Sequence, residues 1–156
     1  MSYLVPAEFV TKMVDAGESK IFMSTRDTLI RAFMAGAILA LAAVFAINSA
    51  VQTGSPLIGA ILFPVGFCML YLMGFDLLTG VFVLAPLALL DKRPGVTAGG
   101  VLRNWGLVFL GNFGGALTDS GWFTIFIRGM LCNWMVSMGV VGAMISTTVS
   151  GKVIAM

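Results

Sequence analysis

Among 156 residues without a single histidine, few side chains are able to do chemistry, and the first is a carboxylate in an unexpected place. Asp76, in the stretch MGFDLLTG (73–80), is the only charged residue between Arg31 and Asp91, and both of its flanks are almost wholly apolar. Three residues later Thr79 offers a hydroxyl, and further along Arg128 and Asn133 interrupt another apolar run, 122–145. Cys68 and Cys132 both lie inside apolar runs, where a cysteine behaves as a small buried hydrophobe rather than half of a disulfide. With no histidine and no cysteine cluster, a metal centre is not expected. No nucleophile motif is present, so neither enzymatic activity nor a cofactor is expected. The net charge of +2 is too small to suggest nucleic acid, and the basic residues gather near the ends of apolar runs, where membrane topology accounts for them.

The elements that must position Asp76 and Thr79 are set by composition. Hydrophobic residues make up 59% of the chain and charged residues 10%, against roughly a quarter charged in soluble domains. A soluble domain of this size lacks the polar cover for so much apolar side chain. A spanning helix needs ~20 mostly apolar residues, and four segments supply them: 32–51, part or all of 57–90, 99–117 and 122–145. The second block has 34 residues and contains Pro64, Gly66, Gly74, Gly80 and Pro86, so it is expected to be a helix, a break around 74–80 and a second short helix. Irregular backbone at membrane depth is tolerated only where protein buries it or it lines a wet cavity. Asp76 falls in that break.

Ahead of the spans, Phe9, Val10, Met13, Val14, Gly17 and Ile21 recur at three- and four-residue spacing while Lys12, Asp15, Glu18 and Lys20 fall mainly elsewhere. This predicts an amphipathic helix over 6–23, lying on a membrane surface or against a neighbouring helix. The early charges, Glu8 to Asp27, do not fit a cleavable signal peptide. Lysines and arginines precede the first span and lie between the second and third, whereas the first connection has none, which places the N-terminus in the cytoplasm.

Shifted by 97 residues, 30–55 lies over 127–152 without a gap, with Ile30 on Ile127, Arg31 on Arg128, Ala46 on Ala143, Ser49 on Ser146 and Gly54 on Gly151. Apolar segments reach this many identities by chance as well. A true repeat here would cross the membrane in the opposite sense, as in transporters built from inverted repeats around a midplane site.

Taken together, these residues resemble the formate/nitrite transporter family. Its first signature is matched by Asp76-Leu77-Leu78-Thr79-Gly80 after Gly74, with Phe75 in place of the usual small residue. The second is matched in RGMLCNWMV by Gly129, Cys132, Asn133 and Val136. FPVG (63–66), NWGLVFLGNFGGA (104–116) and SGK (150–152) are also similar to the family. The resemblance implies an all-α membrane protein with an aquaporin-like helical bundle and a broken second transmembrane helix. It implies a homopentamer in the bilayer, each protomer conducting small monovalent anions such as formate, nitrite and hydrosulfide. Under it Phe63 and Phe67 become apolar pore-lining groups, Leu77, Leu78, Thr79 and Gly80 the constriction at the break, and Asn133 the polar pore residue of the fourth span. Four of the family's six spans are expected here: an interfacial helix over 1–28, a first three-helix repeat over 29–117 and part of a second, inverted repeat over 118–156. The family's central histidine, in a Glu-His pair, and its longer third connection have no counterpart in these residues. Two alternatives are therefore kept: a non-transporting subunit that assembles with full-length relatives, and a pore for neutral solutes. A carboxylate facing the path would repel an anion, so Asp76 is expected to point away from it and accept hydrogen bonds from the loop backbone, as a structural clamp.

Overall fold

A computed structural model describes residues 4–116 and 144–155. The expected fourth span, Arg128, Asn133 and most of the second half of the echo lie outside the described residues. Those described are helical, with no strand among them. The helices are α1 (Pro6–Phe22), α2 (Thr25–Thr53), α3 (Pro56–Leu62), α4 (Pro64–Leu72), α5 (Leu78–Leu90), α6 (Ala98–Gly115) and α7 (Val149–Ala155).

Their ends follow local chemistry. Ser24 caps α2 by accepting a hydrogen bond from the Asp27 amide, and Thr97 caps α6 by accepting one from Gly100. Gly54, at φ 66°, ends α2 in the left-handed conformation that favours glycine, and Pro56 opens α3 at a position where no amide hydrogen is needed. α2 has 29 residues, ~44 Å at 1.5 Å per residue, and is the one helix among those described that is long and apolar enough to cross a bilayer alone. α6 takes the place of the expected third span, but with Arg103, Asn104 and Asn112 among its 18 residues it is not long and apolar enough to cross a bilayer by the same measure.

The expected break is present, with shifted bounds. Helix stops at Leu72 and resumes at Leu78, so the irregular stretch is 73–77 rather than 74–80. The physical reason is Leu77, which is extended (φ −100°, ψ 137°) and turns its carbonyl to accept from the amides of Gly80 and Val81, at 2.9 and 3.2 Å. Leu78, Thr79 and Gly80 are therefore the first turn of α5, not loop.

Close approach of backbones sets the packing. α2 and α6 run side by side in the same direction: Arg103 donates to the Thr25 hydroxyl near their starts, and further along Gly115 lies on Phe33. A Cβ at Gly115 would overlap the Phe33 carbonyl oxygen. Small residues at such crossings are how helices associate in lipid, where burying apolar surface gives little drive. α1 packs on α5 in the same way, with Gly17 against the Leu84 carbonyl. Its predicted stripe is largely the buried one: Met13, Val14, Gly17 and Ile21 are covered, while Val10 is exposed. Ile21 joins Ala85, Ala88 and Val101 in one core cluster, and Ala32, Val81 and Val108 form another beside the break.

Candidate functional site

The break is held from four sides. Its entry is a tight turn in which Met73 and Gly74 donate back to Met69 and Tyr71, and Phe75 to Leu70. Gly74 sits at φ 72°, a conformation strained for any residue with a side chain. From α2, Arg31 reaches the Gly74 carbonyl at 3.4 Å. From α6, Asn112 uses its whole amide: Oδ1 accepts from the Leu78 N–H at 2.8 Å, while Nδ2 donates to the Asp76 carbonyl at 2.9 Å and to the Ala32 carbonyl at 2.7 Å. One turn along α5, Trp105 Nε1 donates to the Val81 carbonyl at 3.1 Å.

The fourth support answers why a carboxylate sits here. The Asp76 side chain is 1% exposed, and its Oδ1 pairs with the Lys20 ammonium of α1. A buried charge needs such a partner, because removing it from water is costly. Its partner is thus a side chain from the amphipathic helix rather than the backbone of its own loop. Lys20 is itself tied in, since its carbonyl accepts from Asn104 Nδ2 at 3.0 Å. Two buried oxygens beside the break have no hydrogen-bond partner among the described residues: Asp76 Oδ2 and Thr79 Oγ1.

The other expected site residues fall around this turn. Leu77, Leu78, Thr79 and Gly80 are half-buried. Phe63 and Phe67 are also half-buried and meet edge to face, with centroids 5.2 Å apart and planes at 83°. They flank the Phe63–Pro64 joint between α3 and α4, on the approach to the break. Asn133 lies outside the described residues. No group of three His, Cys, Asp or Glu that could hold a metal occurs among those described. Sequence reasoning missed Lys20, Arg31, Asn112 and Trp105 as supports. Asn112 carried a signal, as one of two amides in α6, because an amide among apolar helix residues commonly bonds a neighbouring helix.

An N-terminal helix turn with a hydroxyl unpartnered among the described residues, braced by an amide and an ammonium, is suited to meeting a small anion. The family pattern described as formate/nitrite transporter matches residues 7–119. The chain belongs to the formate/nitrite transporter family. That family is one of channels and transporters rather than enzymes. Among the family's curated members, the uncharacterized transporter YrhG of Bacillus subtilis is 26% identical over 189 residues, covering 99% of this chain and 70% of YrhG. The formate channel BtFdhC of Bacillus thuringiensis is 30% identical over 75% of this chain and 47% of its own length. The formate channel FocA of Escherichia coli K12 is 32% identical over 73% of this chain and 41% of FocA. The chain thus spans about half the length of these two formate channels. The match to YrhG runs over more residues than the 156 of this chain, so YrhG carries residues inside the matched stretch that have no counterpart here.

Proposed function

We propose that this chain forms part of a membrane path for small monovalent anions of the formate, nitrite and hydrosulfide class, working as a homopentamer. The observation that carries the reading is the first turn of α5, where Thr79 Oγ1 is buried with no partner among the described residues, beside the start of a helix. Taking an anion through ~30 Å of hydrocarbon is costly because the ion loses its hydration. Helix N-termini at a break carry partial positive charge that offsets part of this loss. Thr79 then donates its hydroxyl to the passing ion, and the Phe63–Phe67 pair, on the approach, excludes bulk water. Asn133, by its place in the second signature, supplies a further polar contact from the fourth span.

In this arrangement Asp76 serves as the clamp. Its charge is matched by Lys20, so the break keeps its shape without presenting a bare carboxylate to the ion. The clustering of basic residues at one end of the described helices supports a cytoplasmic N-terminus and an inner-membrane setting: Arg93 pairs with Asp15, Glu18 and Asp91, and Arg103 reaches Thr25.

The test is uptake of formate and nitrite into liposomes holding the purified chain, compared with Thr79→Val. The reading expects saturable anion uptake that falls about tenfold on losing a hydrogen bond worth ~1.4 kcal/mol in the path. Uptake of glycerol or urea without anion flux would replace it with a neutral-solute pore. Flux seen only when a six-span relative is co-produced would make the chain a companion subunit.

A further inference from the structure

A second feature lies away from the break, where α2 and α6 meet on their outer side. Leu29, Ile30, Phe33 and Met34 of α2 and Leu110 and Gly111 of α6 line an open apolar groove of about 350 Å3. Ile30 and Phe33 are each 51% exposed and Leu110 is 61% exposed. Gly111, packed on Ala32, forms the floor by letting α6 come close.

The groove has a charged rim at one end only. Arg26 stands one helical turn before Leu29 and Ile30, and Arg103 two turns before Leu110, so each shares a face with lining residues. Because the two helices run in the same direction, both arginines sit at the same end, and Arg103 donates to Thr25, the residue before Arg26. Both are exposed, and Arg26 has no hydrogen-bond or ion-pair partner among the described residues. The neighbouring Asp27 is engaged by the Ser24 hydroxyl at 2.8 Å, and Arg31 is turned to the Gly74 carbonyl. The N-termini of α2 and α6 add partial positive charge at this same end.

We infer that the groove holds one anionic glycerophospholipid, its phosphate between Arg26 and Arg103 and an acyl chain along Ile30, Phe33, Met34 and Leu110. The layout matches the molecule: from Arg26 to Phe33 is seven residues, ~10 Å, the step from headgroup to upper acyl chain. Guanidinium groups take phosphate oxygens in pairs. Basic pockets between helices at the membrane surface select anionic lipid on this ground. A zwitterionic lipid gains less, because its own cation competes with the arginines.

Native mass spectrometry of the full chain in detergent, titrated with phosphatidylglycerol and separately with phosphatidylcholine, reads the site directly. The expected result is a phosphatidylglycerol preference that falls about tenfold or more in Arg26→Gln/Arg103→Gln. Lys12→Gln/Lys92→Gln removes the same charge from elsewhere on the exposed surface and leaves the preference in place. An equal loss in both variants, or no preference in the wild type, overturns the assignment. So does disulfide formation between two copies carrying Ile30→Cys and Leu110→Cys, since a second copy then fills the groove. The Arg→Gln changes are on exposed side chains, and an unchanged helical circular dichroism spectrum separates lipid loss from misfolding.

Discussion

Replacing Asn112 with leucine tests whether one side chain holds the break. Leucine is close in size, so packing between α2 and α6 is kept while three hydrogen bonds are lost: to Leu78 N–H, the Asp76 carbonyl and the Ala32 carbonyl. Side-chain hydrogen bonds within membrane helices average ~0.6 kcal/mol, which puts the floor near ~2 kcal/mol. The Leu78 amide, left without an acceptor in a half-buried site, adds to this, since an unmade buried bond costs ~1–3 kcal/mol. The expected loss is about 2–4 kcal/mol, read from reversible unfolding in mixed micelles as dodecyl sulfate is raised, followed by helicity and tryptophan fluorescence. Leu78→Pro gives the matching cycle. Leu78 is the first residue of α5 and Leu77 before it is extended, so the backbone suits proline, which removes the N–H that Asn112 accepts and sets its ring Cδ against Asn112 Oδ1. In that background Asn112→Leu should cost about 1 kcal/mol less. A cost under ~0.5 kcal/mol in the wild-type background, or equal costs in both, refutes the role given to Asn112.

Lys20→Met strands the Asp76 charge and should cost about 2–3 kcal/mol, below the ~3–5 of a fully buried pair because Lys20 is 18% exposed; Lys20→Met/Asp76→Leu should regain most of it, and a double variant no better than the single refutes the pairing. Asp76→Ala should lower the yield of folded protein and, under the proposed function, leave the ratio of formate to nitrite uptake unchanged; the reverse pattern would place Asp76 in the path. Gly17→Ala drives a methyl into the Leu84 carbonyl and should destabilise by ~1–3 kcal/mol, with trypsin cleaving at Lys20 sooner than in the wild type. Thr79→Val removes a hydroxyl that has no partner among the described residues, so unfolding should shift by less than ~0.5 kcal/mol while anion uptake falls; a large stability loss would mean the hydroxyl is structural.

What could be read in the chain and what could not divide along a physical line. The break was legible because its signals are local: a glycine at 74, a carboxylate at 76, and an apolar run of 34 residues. Its bounds were not, because the restart of α5 depends on one extended residue, Leu77, whose conformation is braced from α6 through Asn112 and Leu78. The buried stripe of α1 was legible from its period, yet nothing in that period shows that Lys20, on the polar side of the stripe, is the partner of Asp76 fifty-six residues away. Pairing of this kind is set by how α1 lies on α5, and that in turn is set by a glycine–carbonyl contact at Gly17 and Leu84. Asp76 looked anomalous only because its neutralising charge comes from another element. A lone charge in an apolar run therefore predicts that some other helix must bring a partner to it, and here the amphipathic N-terminal helix does so. It follows that α1 is structurally part of the break: a change that lifts α1 from α5 removes the Asp76 partner and alters the first turn of α5 without touching Thr79.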